Sequence, residues 1–187
     1  MKGLILKGGK SSRMGQDKGL MKYHGTTQIS HLYTLLSKYC DEIFVSVKKT
    51  DPNIKFKQIE DQYTFESPLN GIASAFKEHS NDCWLVVPCD MPEIDDNLLT
   101  YLINNRKEKT EFTGFYDSEG TLPEPLIGLW EEHSYSKVFD FIKKETSPRK
   151  LLKTLTTNLL VMPENHYHTN INTPEDARNF KKSLQKK

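Results

Sequence analysis

The residues best equipped for chemistry crowd into "LILKGGKSSRMGQDKGLMKY", Leu4 to Tyr23. A short apolar run ends in Gly8-Gly9, and Arg13 and Lys18 follow. Paired glycines let the backbone approach a ligand with no side chain in the way, and successive N–H groups in such a turn can face a phosphate. Arginine adds a fork that fits phosphate oxygens, and lysine adds a compact charge. Spacing excludes two known phosphate loops. Gly9-Lys10-Ser11 would close a P-loop, but that loop requires a glycine where this chain has Leu4. Gly8, Gly9 and Gly15 do not fit G-x-G-x-x-G either. What remains is a loop suited to a triphosphate held at separated points.

Asp90 is the second candidate. It follows the apolar run Cys83 to Val87 and precedes Met91-Pro92. In open parallel sheets ligands sit at the carboxyl ends of the strands. A carboxylate there, beside triphosphate oxygens, suits Mg²⁺, which takes few carboxylates and keeps phosphate and water ligands. An aspartate that caps the next turn is the equal alternative. Neighbouring Cys89 has no histidine or asparagine arrangement to activate it, and Asp90 would raise its thiol pKa rather than lower it. It reads as a small buried residue. The six histidines, His166 and His168 included, read as structural or surface residues.

These groups need a scaffold, and the hydrophobic pattern supplies one. Strands are expected at Gly3–Leu6, Glu42–Val47, Ile54–Ile59 and Cys83–Val87. A hairpin is expected from Phe112–Tyr116 and Pro125–Trp130 around "DSEG", with a last strand at Leu159–Val161. Helical stripes lie between them: Thr27–Tyr39, Pro68–Phe76, a run through Leu98, Leu99, Leu102 and Ile103, Tyr135–Lys143, Arg149–Leu155, and "TPEDARNF" with Thr173 as cap. Such alternation implies right-handed crossovers and an α/β fold, a three-layer Rossmann-like arrangement with a mostly parallel sheet and an antiparallel member.

Bulk properties narrow the class. The 187 residues suit a single domain, 1–187. Twenty-six basic and 25 acidic residues leave a net charge of +1, which argues against nucleic acid as a partner. Three cysteines in no zinc spacing fit reduced thiols and a cytoplasmic location. No apolar run reaches the ~20 residues of a membrane span, and the run ending at Leu6 is too short for a signal peptide.

The opening loop also resembles a known family. "LKGGKSSRMGQDKGLM" is similar to the L-A-G-G-x-S-x-R-M-G-x-D-K-x-L signature of the molybdenum cofactor guanylyltransferase family, within the nucleotide-diphospho-sugar transferase-like superfamily. Further segments match in family order: Asp61 with "ESPLNGIASAF", "VVPCDMP", "EPLIGLW", "SPRKLL" and "TNINTPED". Two positions depart from the pattern. Lys7 stands where alanine is usual, where it adds charge beside the nucleotide or disturbs its seating, and Ser67 stands where glycine is usual.

The resemblance implies transfer of GMP from GTP to the phosphate of molybdopterin. Arg13, Lys18 and Asp90 would be catalytic. Leu6, Lys7, Gly8, Gly9, Arg13, Lys18, Asp61, Pro68, Leu69, Gly71 and Asp90 would hold the nucleotide. Asp90 and Asn172 would hold Mg²⁺, and Asn170 and Arg149 would meet the acceptor, with Lys144 and Lys150 near Arg149. Asp61 suits the N–H donors of a guanine edge, or caps a strand end. Asn170 and Asn172 otherwise read as turn residues, and Arg149 as part of a solvated helix face. The resemblance further implies transient contact with molybdopterin-loading and molybdoenzyme-maturation proteins. Two alternatives remain open. One is a cytidylyl or other nucleotide transferase acting on molybdopterin or a sugar or alditol phosphate. The other is a relative that binds the cofactor without turnover.

Overall fold

The structure is a computed structural model that describes residues 1–7, 18–163, 171 and 173–184. In chain order the elements are β1 (Lys2–Leu6), α1 (Gln28–Leu36), β2 (Glu42–Val47), β3 (Gln58–Glu60), α2 (Pro68–Glu78), β4 (Trp84–Pro88) and α3 (Asp96–Asn104). Then come β5 (Phe112–Tyr116), β6 (Pro123–Trp130), α4 (Tyr135–Ile142), α5 (Pro148–Leu152), β7 (Thr157–Leu160) and α6 (Pro174–Leu184). A 3₁₀ turn spans Lys18–Leu20. The strands form one sheet in the order β3-β2-β1-β4-β6-β5-β7. Pairing is parallel except along β6, which runs antiparallel to both β4 and β5. This is the mostly parallel α/β sheet with an antiparallel member that the residue pattern implied.

Strand alternation builds the three layers. Ile5, Val45, Leu85 and Val87 point to one face, where Ile29, Leu32 and Leu36 of α1 and Leu98, Leu99 and Leu102 of α3 cover them. Leu4, Leu6, Phe44, Trp84 and Val86 point to the other, beneath Leu69, Ile72 and Phe76 of α2, Val138 of α4 and Leu151 and Leu152 of α5. Each fully buried aliphatic side chain contributes about 1.5–3 kcal/mol of burial free energy.

Local signals set the helix starts. Thr27 Oγ1 accepts from Ser30 N–H at 3.2 Å, Ser67 Oγ from Leu69 N–H at 3.2 Å and Asp95 Oδ1 from Leu98 N–H at 2.9 Å. Thr173 and Asp176 cap each other reciprocally, at 3.1 and 2.8 Å. The "DSEG" turn closes with Gly120 at φ +67°, a left-handed conformation that glycine adopts without a Cβ penalty.

Several elements are shorter or shifted relative to expectation. The strand expected over Ile54–Ile59 is only Gln58–Glu60, because the Gln58 amide donates to the carbonyls of Asp51 and Ile54 and folds that stretch into a loop. The helix expected to reach Leu155 stops at Leu152, and the one expected to reach Tyr39 stops at Leu36. The last strand is Thr157–Leu160 and leaves Val161 outside it, 74% exposed.

Candidate active site

Strand order reverses between β1 and β4: β2 and β3 lie to one side, and β4 and the hairpin strands to the other. A crevice opens there, beyond the carboxyl ends of the strands, where ligands bind in such sheets. It is a pocket of about 290 Å³. Leu6, Val47, Pro68, Pro88 and Leu126 give it apolar walls; Ser46, Lys48, Asp61 and Glu66 give it polar groups on the β2–β3 side, and Asp90 on the β4 side. The ends of β3 and β4 are three strand spacings apart, roughly 14 Å. The cleft thus runs from one carboxylate to another along apolar walls.

At the β4 side Asp90 follows the strand directly. Lys18 Nζ lies 3.3 Å from its Oδ2, and both side chains are largely but not fully covered. Backbone bonds hold the turn: Cys89 N–H donates to the Leu6 carbonyl at 3.0 Å, and Ile171 N–H donates to the Asp90 carbonyl at 2.9 Å. Ile171 separates Asn170 from Asn172, so the C-terminal segment meets Asp90 at that point. Cys89 is buried, with Sγ 2.7 Å from the Lys7 carbonyl oxygen. Cys40 and Cys83 are free thiols pushed up to about 12 by burial, and no cysteine here is poised as a nucleophile.

Lys7 does not line the pocket. Its ammonium is drawn to Asp51 in the β2–β3 loop at 2.7 Å, and that hydrogen bond holds the Asp51 carboxyl below the usual aspartate range. The side chain that departs from the family pattern therefore brings its own counter-ion. Leu69 does not line the pocket either. It is fully buried in the α2 core, and its N–H is taken by the Ser67 cap. Of the expected nucleotide residues, Leu6, Asp61, Pro68, Gly71 and Asp90 do line the cleft. Gly8, Gly9, Arg13, Asn170 and Asn172 lie outside the described residues.

At the β3 side Asp61 is half-buried. Burial pushes its carboxyl above the usual aspartate range, against the opposing pull of the Lys48 ammonium and a hydrogen bond from Ser46. Gly71 explains how α2 comes so close: a Cβ there would collide with Ser46 Oγ. The loop from Gln62 to Ser67 is held by two polar side chains on the buried face of α2. Asn70 Nδ2 donates to the carbonyls of Tyr63 and Phe65 at 2.7 and 3.0 Å, and Ser74 Oγ accepts from Gln62 N–H at 2.9 Å.

A family model described as "MobA-like NTP transferase domain" matches residues 3–159. The chain belongs to this family. A molybdenum cofactor guanylyltransferase of Pseudomonas fluorescens is 30% identical over 92% of the chain and 89% of its own length. The molybdenum cofactor biosynthesis bifunctional protein of Synechocystis is 30% identical over 93% of the chain, which spans 52% of that longer protein. The solved structure of molybdopterin-guanine dinucleotide biosynthesis protein A from Archaeoglobus fulgidus superposes with a TM-score of 0.82 over the whole of both chains, at 19% identity. Likeness at that identity shows the fold.

In this MobA-like chain the hairpin side holds a charged group that motif reading located only in part. Arg149 Nη2 is 3.9 Å from Asp117 Oδ2 and 3.9 Å from Glu124 Oε2. Burial raises the Glu124 carboxyl, the Leu126 N–H and Arg149 oppose that, and the Asp90 charge adds to it. Lys150 turns away to Glu145 at 2.5 Å. Among the described residues no three histidine, cysteine or acidic side chains gather as a metal-ligand cluster. A lone partly covered carboxylate at a strand end suits a hard cation that keeps phosphate and water ligands, rather than an all-protein metal cage. Among the described residues no helix is long and apolar enough to cross a membrane.

Sequence reading missed Ser46, Lys48 and Glu66. The first two had a signal, since alternation along Glu42–Val47 sends Ser46 and Lys48 to the same side at the strand's carboxyl end. Glu66 had none, because only the folded loop brings it to Lys48.

Proposed function

We propose that this nucleotidyltransferase moves GMP from GTP to the phosphate of molybdopterin and releases pyrophosphate. The observation that supports the reading is the cleft itself, with the Asp61 carboxylate, suited to the N–H donors of a base, at one end and Asp90, paired with Lys18 and suited to phosphate and metal, at the other. The family and the names of its relatives support it. An acceptor phosphate oxygen forms a bond to the α-phosphorus, the bond from that phosphorus to the bridging β-phosphate oxygen breaks, and pyrophosphate leaves with its electron pair. The acceptor phosphate is ionised near neutral pH, so the step requires no general base.

Asp90, with Asn172, is the proposed holder of Mg²⁺, which would neutralise charge between anionic reactants. Lys18 opposes charge on the leaving phosphates and keeps the Asp90 carboxylate oriented. Arg13 and the Gly8-Gly9 backbone are proposed to complete the phosphate grip, and Arg149 and Asn170 to face the acceptor. Catalysis on this reading is positioning and electrostatics. Molybdopterin-loading and molybdoenzyme-maturation proteins are the proposed transient partners.

Pyrophosphate release measured with GTP, CTP, ATP and UTP, each with and without molybdopterin and Mg²⁺, tests the reading. Turnover that requires GTP, molybdopterin and Mg²⁺ together is expected. A preference for CTP, or GTP binding with no turnover, overturns it.

A further inference from the structure

One charged side chain in the cleft has no place in the mechanism above. Lys48 immediately follows β2, and Asp61 immediately follows β3. Val47 pairs with Glu60 in the parallel register, so Lys48 and Asp61 are the next pair along, on strand ends about 4.8 Å apart. The Asp61 N–H donates to the Val47 carbonyl at 2.8 Å and locks that register. Both side chains line the pocket, and Lys48 Nζ rests on Glu66 Oε1 at 3.1 Å. Both members of that ion pair are half exposed or more, so the pair adds little stability and exchanges easily.

An ammonium beside a carboxylate makes a two-sign reader for the edge of a base. A carboxylate accepts two N–H bonds, and an ammonium donates to a carbonyl oxygen. Guanine presents one carbonyl acceptor, O6, next to two donors, N1–H and the 2-amino group. Adenine and cytosine present an amino donor where this arrangement needs an acceptor. Uracil presents a carbonyl and one N–H but lacks the second donor.

We propose that Lys48 is a specificity-determining residue that exchanges Glu66 for the O6 of guanine when the nucleotide enters, while Asp61 takes the two N–H donors. This rests on the reading of the cleft as a guanine nucleotide site, and it adds a residue that the family motifs do not contain. The exchange makes Glu66 a competitor for the ammonium in the empty cleft.

Binding of three nucleotides to the full chain tests it: GTP, inosine triphosphate, which lacks the 2-amino group, and 2-aminopurine riboside triphosphate, which lacks O6 and with it the N1 hydrogen. Lys48→Met should weaken GTP and inosine triphosphate about tenfold, the scale of a charged hydrogen bond, and leave the 2-aminopurine nucleotide unchanged. Lys48→Gln keeps an N–H donor and should recover part of that loss. Glu66→Gln should tighten GTP by about threefold, since an exposed pair opposes by little. Thermal unfolding of each variant checks that the fold is intact. An equal loss for all three nucleotides, or an unchanged preference for GTP over the 2-aminopurine nucleotide in Lys48→Met, overturns the assignment of Lys48. A wild-type protein that does not prefer GTP over CTP, ATP and UTP overturns the guanine reading itself, so the two failures are distinguishable.

Discussion

The two halves of the sheet use their residues differently. On the β3-β2-β1-β4 side all strands run parallel, so their carboxyl ends open on one edge and deliver Leu6, Ser46, Asp61 and Asp90 to a single cleft. On the β6-β5-β7 side the antiparallel strand breaks that alignment, and the paired glycines there serve packing. Gly114 and Gly128 face each other across β5 and β6, and the buried Phe112 ring lies over both. Phe112 in turn meets Trp130 edge to face, with ring centroids 5.0 Å apart. The first half brings most of the polar residues that line the cleft, and the paired glycines of the second make room for its core. A glycine therefore has to be read by which half holds it.

Substitutions can break or sharpen that contrast. The largest effect is expected from Asp90→Ala. Loss of the carboxylate proposed to hold Mg²⁺ should cut GMP transfer roughly a thousandfold, several kcal/mol of charge stabilisation, with thermal stability retained. Near-normal turnover would remove Asp90 from the chemistry and make it a turn cap.

The paired glycines test the contrast most directly. A Cβ at Gly128 would stand 2.8 Å from the Thr113 carbonyl oxygen and collide with the Phe112 ring. Gly128→Ala should lower stability by about 1–3 kcal/mol and leave GTP affinity of the folded protein unchanged. Gly71→Ala pushes on Ser46 in the cleft, so a similar destabilisation should come with weaker GTP binding. Denaturant unfolding and nucleotide titration of both variants measure this; equal effects on binding would erase the distinction.

Asp61→Asn should weaken GTP about 10–100-fold, the scale of hydrogen bonds to a charged group, without destabilising the fold. The pH dependence follows from burial. The folded Asp61 carboxyl sits above its unfolded value of about 3.9, so the folded state holds the proton more tightly, and its ionisation costs stability as pH rises through that window. Binding runs the other way. GTP affinity should fall on acidification at a higher pH than an ordinary aspartate allows, and titration of Asp61→Asn against pH should lose that component.

The smallest effect is expected at Ser67, which joins the two halves. Its hydroxyl caps α2 and donates to the Thr146 carbonyl at 2.6 Å, just ahead of α5. Ser67→Ala should cost about 1 kcal/mol in a chemical denaturation curve and leave the preference among nucleotides unchanged. The departure from glycine at this position serves as a structural link.

Much of this was legible from residues in order. Apolar periods located most of the strands and α-helices among the described residues, because burial on one or two faces imposes a period of 2 or 3.6 on any chain that folds this way. Asp90 stood out because of its type and its place after an apolar run, and it does line the cleft; Gly8-Gly9 lie outside the described residues. The pairings made between distant segments were not legible. The ion pair of Lys7 with Asp51, 44 positions away, is one of them. Leu69 sat inside a binding motif and turned out to face the core. Asn70 and Ser74 looked out of place on an apolar helix face until the loop they hold was in view.

The physical reason is range. Periodicity, capping and turn chemistry act over a few residues and are written in local order. Charge pairing, desolvation and collision depend on which strand ends become neighbours, and that depends on the β3-β2-β1-β4 order of the sheet. The sequence alone determined the element types, the family and the carboxylate at the end of β4. Only the tertiary structure decided that Lys48 stands beside Asp61, that Glu66 holds it, and that Lys7 pairs with Asp51.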